Sequence, residues 1–185
     1  METKILLDEH IELRAVSPEW AAEKYAAAIA SREHLLPWLS WIHFYENGTP
    51  EEGTENTRKF QESKATEFEK GTNYTYDIFV DGQFAGGIEL MAISNENHYC
   101  EIGYWLAKDF TGRGIMTRAT NKMTEIAFDK LNMHCVSIHA AHENKASRAV
   151  AERCGFDFEV ELRERLLLEG RYYNQAIYSK LRAEA

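Results

Sequence analysis

Apolar and polar residues change period several times along the chain, and each change marks an element. From His10 to Ala15, Ile11, Leu13 and Ala15 alternate with His10, Glu12 and Arg14, the period of two that a half-buried strand requires. Ser17-Pro18-Glu19 sets a capping hydroxyl, a proline suited to a first helical turn and an early acid before the alanine-rich run Trp20 to Ala30, which predicts a helix. His34 to Phe44, dense in Trp38, Leu39, Trp41 and Ile42 around Pro37, reads as a short packed segment. Thr49-Pro50-Glu51-Glu52 repeats the cap pattern and predicts a second helix to about Lys70, closed at Gly71.

From there the period returns to two. Tyr74, Tyr76, Ile78 and Val80 alternate, Asp81-Gly82 is a hairpin turn, Phe84 to Ile93 is the returning strand, and His98 to Leu106 follows the turn at Asn95-Glu96-Asn97. These predict three antiparallel strands in succession. Gly112 to Lys130 reads as a loop and a helix with Ala119, Met123, Ile126 and Ala127 on one face. Val136, Ile138 and Ala140 mark another strand, Lys145 to Cys154 a short helix, and Phe156 to Leu162 with Tyr172 to Leu181 two strands joined at Glu169-Gly170. The order is that of a mixed α+β fold.

At 185 residues, with no Pro-rich or Gly/Ser-rich linker, the expectation is one domain over 1–185. No apolar run nears the roughly 20 residues needed to cross a bilayer, and Met1-Glu2-Thr3-Lys4 opens no basic-then-apolar leader, so a cytoplasmic protein without membrane contact is expected. A net charge of −9 disfavours direct nucleic-acid binding and favours a cationic partner. Cys100, Cys135 and Cys154 form no CxxC pair and fit reduced, packed thiols. His139 and His142 stand three apart in a predicted strand, hence on opposite faces, so no metal site is expected.

The chemistry concentrates at Glu101-Ile102-Gly103-Tyr104-Trp105-Leu106 and, five residues on, Gly112-Arg113-Gly114-Ile115-Met116-Thr117 at a helix start. Glycines let a backbone approach a pyrophosphate, and unpaired N–H groups at a helix N-terminus favour its charge. Arg113 and Arg118 add cationic side chains. The loop lacks both the third glycine of a dinucleotide fingerprint and the Gly-Lys-Ser/Thr ending of a Walker loop.

With Leu36-Pro37-Trp38-Leu39-Ser40-Trp41 and Asn144-Lys-Ala-Ser147-Arg-Ala-Val150, these motifs resemble the RimJ/RimL branch of the GNAT acetyltransferases over nearly the whole chain. The resemblance implies an N-acetyltransferase that uses acetyl-coenzyme A by direct attack, without a covalent intermediate or a metal. It places the pyrophosphate on Gly112, Arg113, Gly114, Ile115, Met116 and Thr117, and the pantetheine arm along Tyr104, Trp105 and Leu106 and against Asn144. It also implies two splayed parallel strands with a bulge near Tyr104. Ser147 is the candidate acid for the departing thiolate, since the tyrosine common seven residues after the asparagine is here Ala151. By spacing alone Asn144 serves equally as a helix cap and Ser147 as its third residue. Glu101, with Glu89 as the alternative, is the candidate base, acting through water. Trp38, Trp41, Phe44 and Tyr45 are read as core or as a wall of the acceptor pocket. The acceptor is expected to be an amine, possible forms being a basic protein N-terminus or a small molecule, and exposed strand edges make a homodimer reasonable. A rival reading keeps the cofactor loop on a non-catalytic acyl-coenzyme A binding protein.

Overall fold

A computed structural model describes residues 1–45 and 48–184, the side chains of Phe44 and Tyr45 falling outside the described set. Eight strands form one sheet in the order β1-β2-β3-β4-β5-β6-β8-β7. They are β1 Lys4–Leu6, β2 Ile11–Ala15, β3 Tyr74–Val80, β4 Gln83–Ser94, β5 Tyr99–Leu106, β6 Cys135–Ala141, β7 Asp157–Leu168 and β8 Arg171–Leu181. The helices are α1 Ala21–Ala30, α2 Arg32–Leu35, α3 Pro50–Lys70, α4 Ile115–Asp129 and α5 Lys145–Arg153.

Local chemistry accounts for most of these bounds. Thr49 and Glu52 close a reciprocal capping box at the start of α3, and Gly71 ends it at φ +71°, a conformation glycine adopts without Cβ strain. Ser17 accepts from the N–H of Glu19, but the turn it caps is a 3₁₀ stretch, Pro18–Trp20, and α1 proper begins at Ala21. Strand β1 is absent from the sequence reading. Its three residues bury only Ile5 and hold their place by pairing Lys4 to Leu6 with Arg14 to Glu12, so too few positions exist for a period to register.

The predicted apolar stripe of α4, Ala119, Met123, Ile126 and Ala127, is buried against Cys100 and Ile102 of β5 and Val136 and Ile138 of β6. On the opposite face α1 and α3 converge on Asp77 of β3, which receives Lys24 Nζ at 3.2 Å and Gln61 Nε2 at 3.1 Å. A smaller cluster of Ala28, Leu35 and Ile42 carries Leu39, Trp41 and Trp105.

The feature that positions the site is the junction of β5 and β6. These strands pair in parallel only at Tyr99 with Cys135, Cys100 with Val136 and Glu101 with Ser137. Beyond that point β5 continues to Leu106 beside β4, while β6 pairs along its whole length with β8. The two central strands therefore splay. The bulge expected at Tyr104 is not there: β4 and β5 stay in register from Glu101 to Leu106, and the irregularity falls at Met91 to Ser94. The N–H of Ala107 bonds the carbonyl of Ala85 at 2.8 Å. By the alternation of an antiparallel ladder, the N–H groups of Tyr104 and Leu106 then turn away from β4 into the splay. Loss of the β6 neighbour thus supplies the free backbone donors that a bulge was expected to provide.

Candidate active site

A cleft of about 690 Å³ passes through the splay. On one side Gly112, Gly114, Thr117, Asn144, Ser147 and Arg153 line it, and on the other His34, Leu35, Trp38, Leu39, Leu166 and Leu168. Tyr104, Trp105 and Leu106 run along its floor, and His139 stands on the β6 side.

Gly112 and Gly114 have φ of +76° and +71°, and an added Cβ at either would meet no atom within 4 Å. Backbone conformation and closeness of approach, rather than crowding, therefore call for glycine. Gly114 is the N-cap of α4 and offers no side-chain acceptor, so the first N–H groups of that helix are left for an anion. A pyrophosphate fits this donor set, and a pantetheine arm fits the unpaired edge of β5. Ile115 is buried in the core, so its contribution to such a site is backbone alone, whereas Met116, also largely buried, is among the residues that line the cleft. Arg113 is exposed with its guanidinium 5.4 Å from the Phe110 ring, and Arg118 pairs with Asp8. Neither lines the cleft, unlike Arg153, whose Nε donates to Thr117 Oγ1 at 3.2 Å. Sequence reasoning missed Arg153, because only the packing of α5 on α4 brings it to the loop.

Asn144 Oδ1 accepts from the N–H of Ser147 at 3.1 Å, so Asn144 caps α5. Ser147 Oγ donates to the Tyr104 hydroxyl at 3.1 Å, and that hydroxyl donates to the Ser147 carbonyl at 3.0 Å. Burial pushes the Tyr104 phenol up to about 12, which keeps it a neutral donor. The position seven residues after Asn144 holds Ala151, and a tyrosine reaches Ser147 with its hydroxyl from β5. Its number stood in the motif, but its side-chain role had no local signal.

Glu101 and Glu89 are not among the cleft-lining residues. Glu89 accepts from Lys64 Nζ at 3.2 Å and Thr75 Oγ1 at 3.0 Å. Glu101 accepts from the Tyr99 hydroxyl at 3.0 Å and faces His139 Nδ1 at 3.4 Å. His142 instead pairs with Glu161 at 2.7 Å, and no group of three or more metal-ligating side chains occurs among the described residues. Of the aromatic group, Trp38 lines the cleft and Trp41 packs on Trp105 with ring centroids 5.5 Å apart, while Phe44 and Tyr45 fall outside the described side chains. Burial raises all three cysteine thiols, Cys100 to about 12, the reverse of what a nucleophilic thiolate needs.

The model of the acetyltransferase (GNAT) domain matches residues 10–157. The chain belongs to the GNAT acetyltransferases. YdaF of Bacillus subtilis (strain 168), provisionally named a ribosomal N-acetyltransferase, is 35% identical over 182 residues, covering 96% of this chain and 94% of that protein. Among solved structures, the microcin C7 self-immunity acetyltransferase MccE, in complex with acetyl-CoA and AMP, superposes with a TM-score of 0.90 at 28% identity, covering 98% and 97% of the two chains. RimL, the ribosomal L7/L12 α-N-protein acetyltransferase in complex with coenzyme A, does so with a TM-score of 0.89 at 25% identity over 96% and 97%. Like these GNAT relatives, the protein is an acetyl-coenzyme A dependent N-acetyltransferase of the RimJ/RimL-like branch.

Proposed function

We propose that the acceptor is the α-amino group of a protein or peptide N-terminus, carried on a basic segment as in ribosomal proteins. One observation carries this reading: among the described residues no Asp or Glu lines the cleft, and its acceptor side is built from Leu35, Trp38, Leu39, Leu166 and Leu168 with His34. Burial beside Lys108 holds the His34 imidazole below its ordinary value, towards the neutral form. A polyamine or aminoglycoside carries several ammonium groups into a cleft whose described lining has no carboxylate to pair them, whereas a peptide N-terminus carries in one amine, which must be neutral to attack, and leaves its basic segment outside. An α-amino group titrates at about 7.7–8.0 against about 10.4 for lysine, so its neutral fraction at pH 7 is a few hundred-fold larger.

In this reading the Gly112 to Thr117 loop and Arg153 hold the pyrophosphate, Asn144 and the β5 edge hold the pantetheine, and the N–H of Tyr104 or Leu106 polarises the thioester carbonyl. The Ser147 hydroxyl, backed by Tyr104, protonates the departing thiolate. Enzyme and acetyl-coenzyme A are given one basic peptide with its N-terminus free or blocked, and spermidine in parallel, with the acetylated nitrogen located by mass spectrometry. Acetylation of the free N-terminus alone is expected. Equal rates on the blocked peptide, or a large kcat/KM preference for spermidine, refute the assignment.

A further inference from the structure

At the crotch of the splay, around the last β5–β6 pair, Glu101 with Ser137, four polar side chains close a ring on the sheet face away from α4. The Tyr99 hydroxyl donates to Glu101 Oε1 at 3.0 Å and lies 2.6 Å from Ser137 Oγ. Ser137 Oγ lies 3.1 Å from His139 Nε2, and His139 Nδ1 returns to Glu101 Oε2 at 3.4 Å. On the neighbouring strand β8 the residues paired with His139 and Ala141 are Ile177 and Gln175, so the charge facing the imidazole within this ring is Glu101. His139 is the member of the ring that lines the cleft.

Three of these contacts are hydrogen bonds, and the three protons of tyrosine, serine and a neutral imidazole satisfy them: Nε2–H donates to Ser137, Ser137 to Tyr99 and Tyr99 to Glu101. That arrangement leaves His139 Nδ1 without a hydrogen bond among the described residues, 3.4 Å from the Glu101 carboxylate. A cleft-lining imidazole held by one nitrogen, with a lone pair on the other beside a carboxylate, is the arrangement of an oriented proton acceptor.

We propose that His139 is the general base of the transfer, receiving the proton of the attacking amine directly or through one water, with Glu101, Tyr99 and Ser137 as positioning residues that hold it there. The inference rests on acetyl transfer to an amine and is independent of which amine is used. The amine nitrogen bonds to the thioester carbonyl carbon and the carbon–sulfur bond breaks. The amine's proton passes to His139, and the thiolate takes one from the Ser147 hydroxyl. Proton exchange with solvent resets both groups, leaving one amide and one thiol. Glu101, the base that the strand position suggested, acts in this account through His139.

The test compares wild type, His139→Ala and Glu101→Gln with whichever of a free N-terminal peptide, spermidine or lysine the wild type acetylates fastest. Thiol release gives the rate, calorimetry gives coenzyme A affinity, and added imidazole serves as the probe. His139→Ala should lower kcat about a hundredfold, the low end for a lost general base, with coenzyme A affinity unchanged and part of the rate restored by imidazole. Glu101→Gln should give a smaller loss that imidazole does not restore, since its own imidazole is still in place. If the alanine variant melts too low to assay, His139→Gln, which keeps the contact to Ser137 without a basic nitrogen, must show the same loss. A folded His139 variant with near wild-type kcat, a loss untouched by imidazole, or a loss matched by weaker coenzyme A binding overturns the proposal. A wild type that acetylates none of the three amines overturns the transferase reading itself, and is thereby distinguished.

Discussion

Replacing Lys24 with methionine isolates an ion pair that is the most deeply withdrawn from water among the described residues. The side chains of Lys24 and Asp77 are 5% and 0% exposed and 3.2 Å apart, and Gln61 Nε2 donates a neutral hydrogen bond to the other carboxylate oxygen. Burial pushes the Asp77 carboxyl up, and Lys24 opposes that shift. Lys24→Met leaves a buried carboxylate without its cation, which costs about 3–5 kcal/mol. For a chain of this size each kcal/mol moves Tm by about 2–4 °C, so a fall of roughly 6–20 °C is expected. The sign of the pH dependence follows from the raised folded-state value. Below the unfolded-state value of about 3.9 the carboxyl is protonated in both states. As pH rises through the higher folded value, the variant must ionise a buried group and its deficit grows. Denaturant melts of wild type, Lys24→Met and Lys24→Met/Asp77→Leu at acid and neutral pH measure this, with the double variant recovering most of the loss. Because α1 leads into the His34 to Leu39 wall of the cleft, the acceptor KM should rise in the single variant while coenzyme A affinity holds. A loss under about 1 kcal/mol, the range of exposed pairs, or one of equal size at every pH, refutes the reasoning.

Gly114→Val sets a β-branched residue at φ +71°, a strain of about 1–2 kcal/mol, with its side chain where backbone is to meet phosphate. The variant should stay folded and bind coenzyme A at least tenfold more weakly by calorimetry, a loss of about 1.4 kcal/mol. Ser147→Ala and Tyr104→Phe should each lower kcat more than they weaken coenzyme A binding, as expected for a group needed only when the thiolate departs. If Ser147→Ala loses stability alone, with turnover per folded molecule unchanged, its role is confined to α5. Arg153→Ala should weaken coenzyme A and leave the acceptor KM in place, read by the same calorimetry and by initial rates. In the native protein, Cys100 and Cys154, buried with raised thiols, should label slowly with an alkylating reagent and rapidly once denatured, as mass spectrometry would show.

What the sequence determined by itself is what period and cap chemistry encode locally. The meander from Tyr74 to Leu106, the helix from Thr49 to Gly71 and the apolar stripe of α4 lie at or near the predicted positions, because each is a relation among residues a few places apart. The glycine loop was legible for the same reason, its two left-handed residues standing two apart ahead of a helix. Tertiary structure alone decided which side chains meet. Tyr104 reaches Ser147 across 43 residues, Tyr99 reaches Ser137 across 38, and Arg153 reaches Thr117 across 36. Those encounters depend on a parallel register between β5 and β6 that holds for three pairs and then fails, and on α5 packing over α4. No pattern within either strand records where its partner will leave it. That departure frees the N–H groups of Tyr104 and Leu106, opens the cleft, and sets His139 rather than Glu101 at its edge.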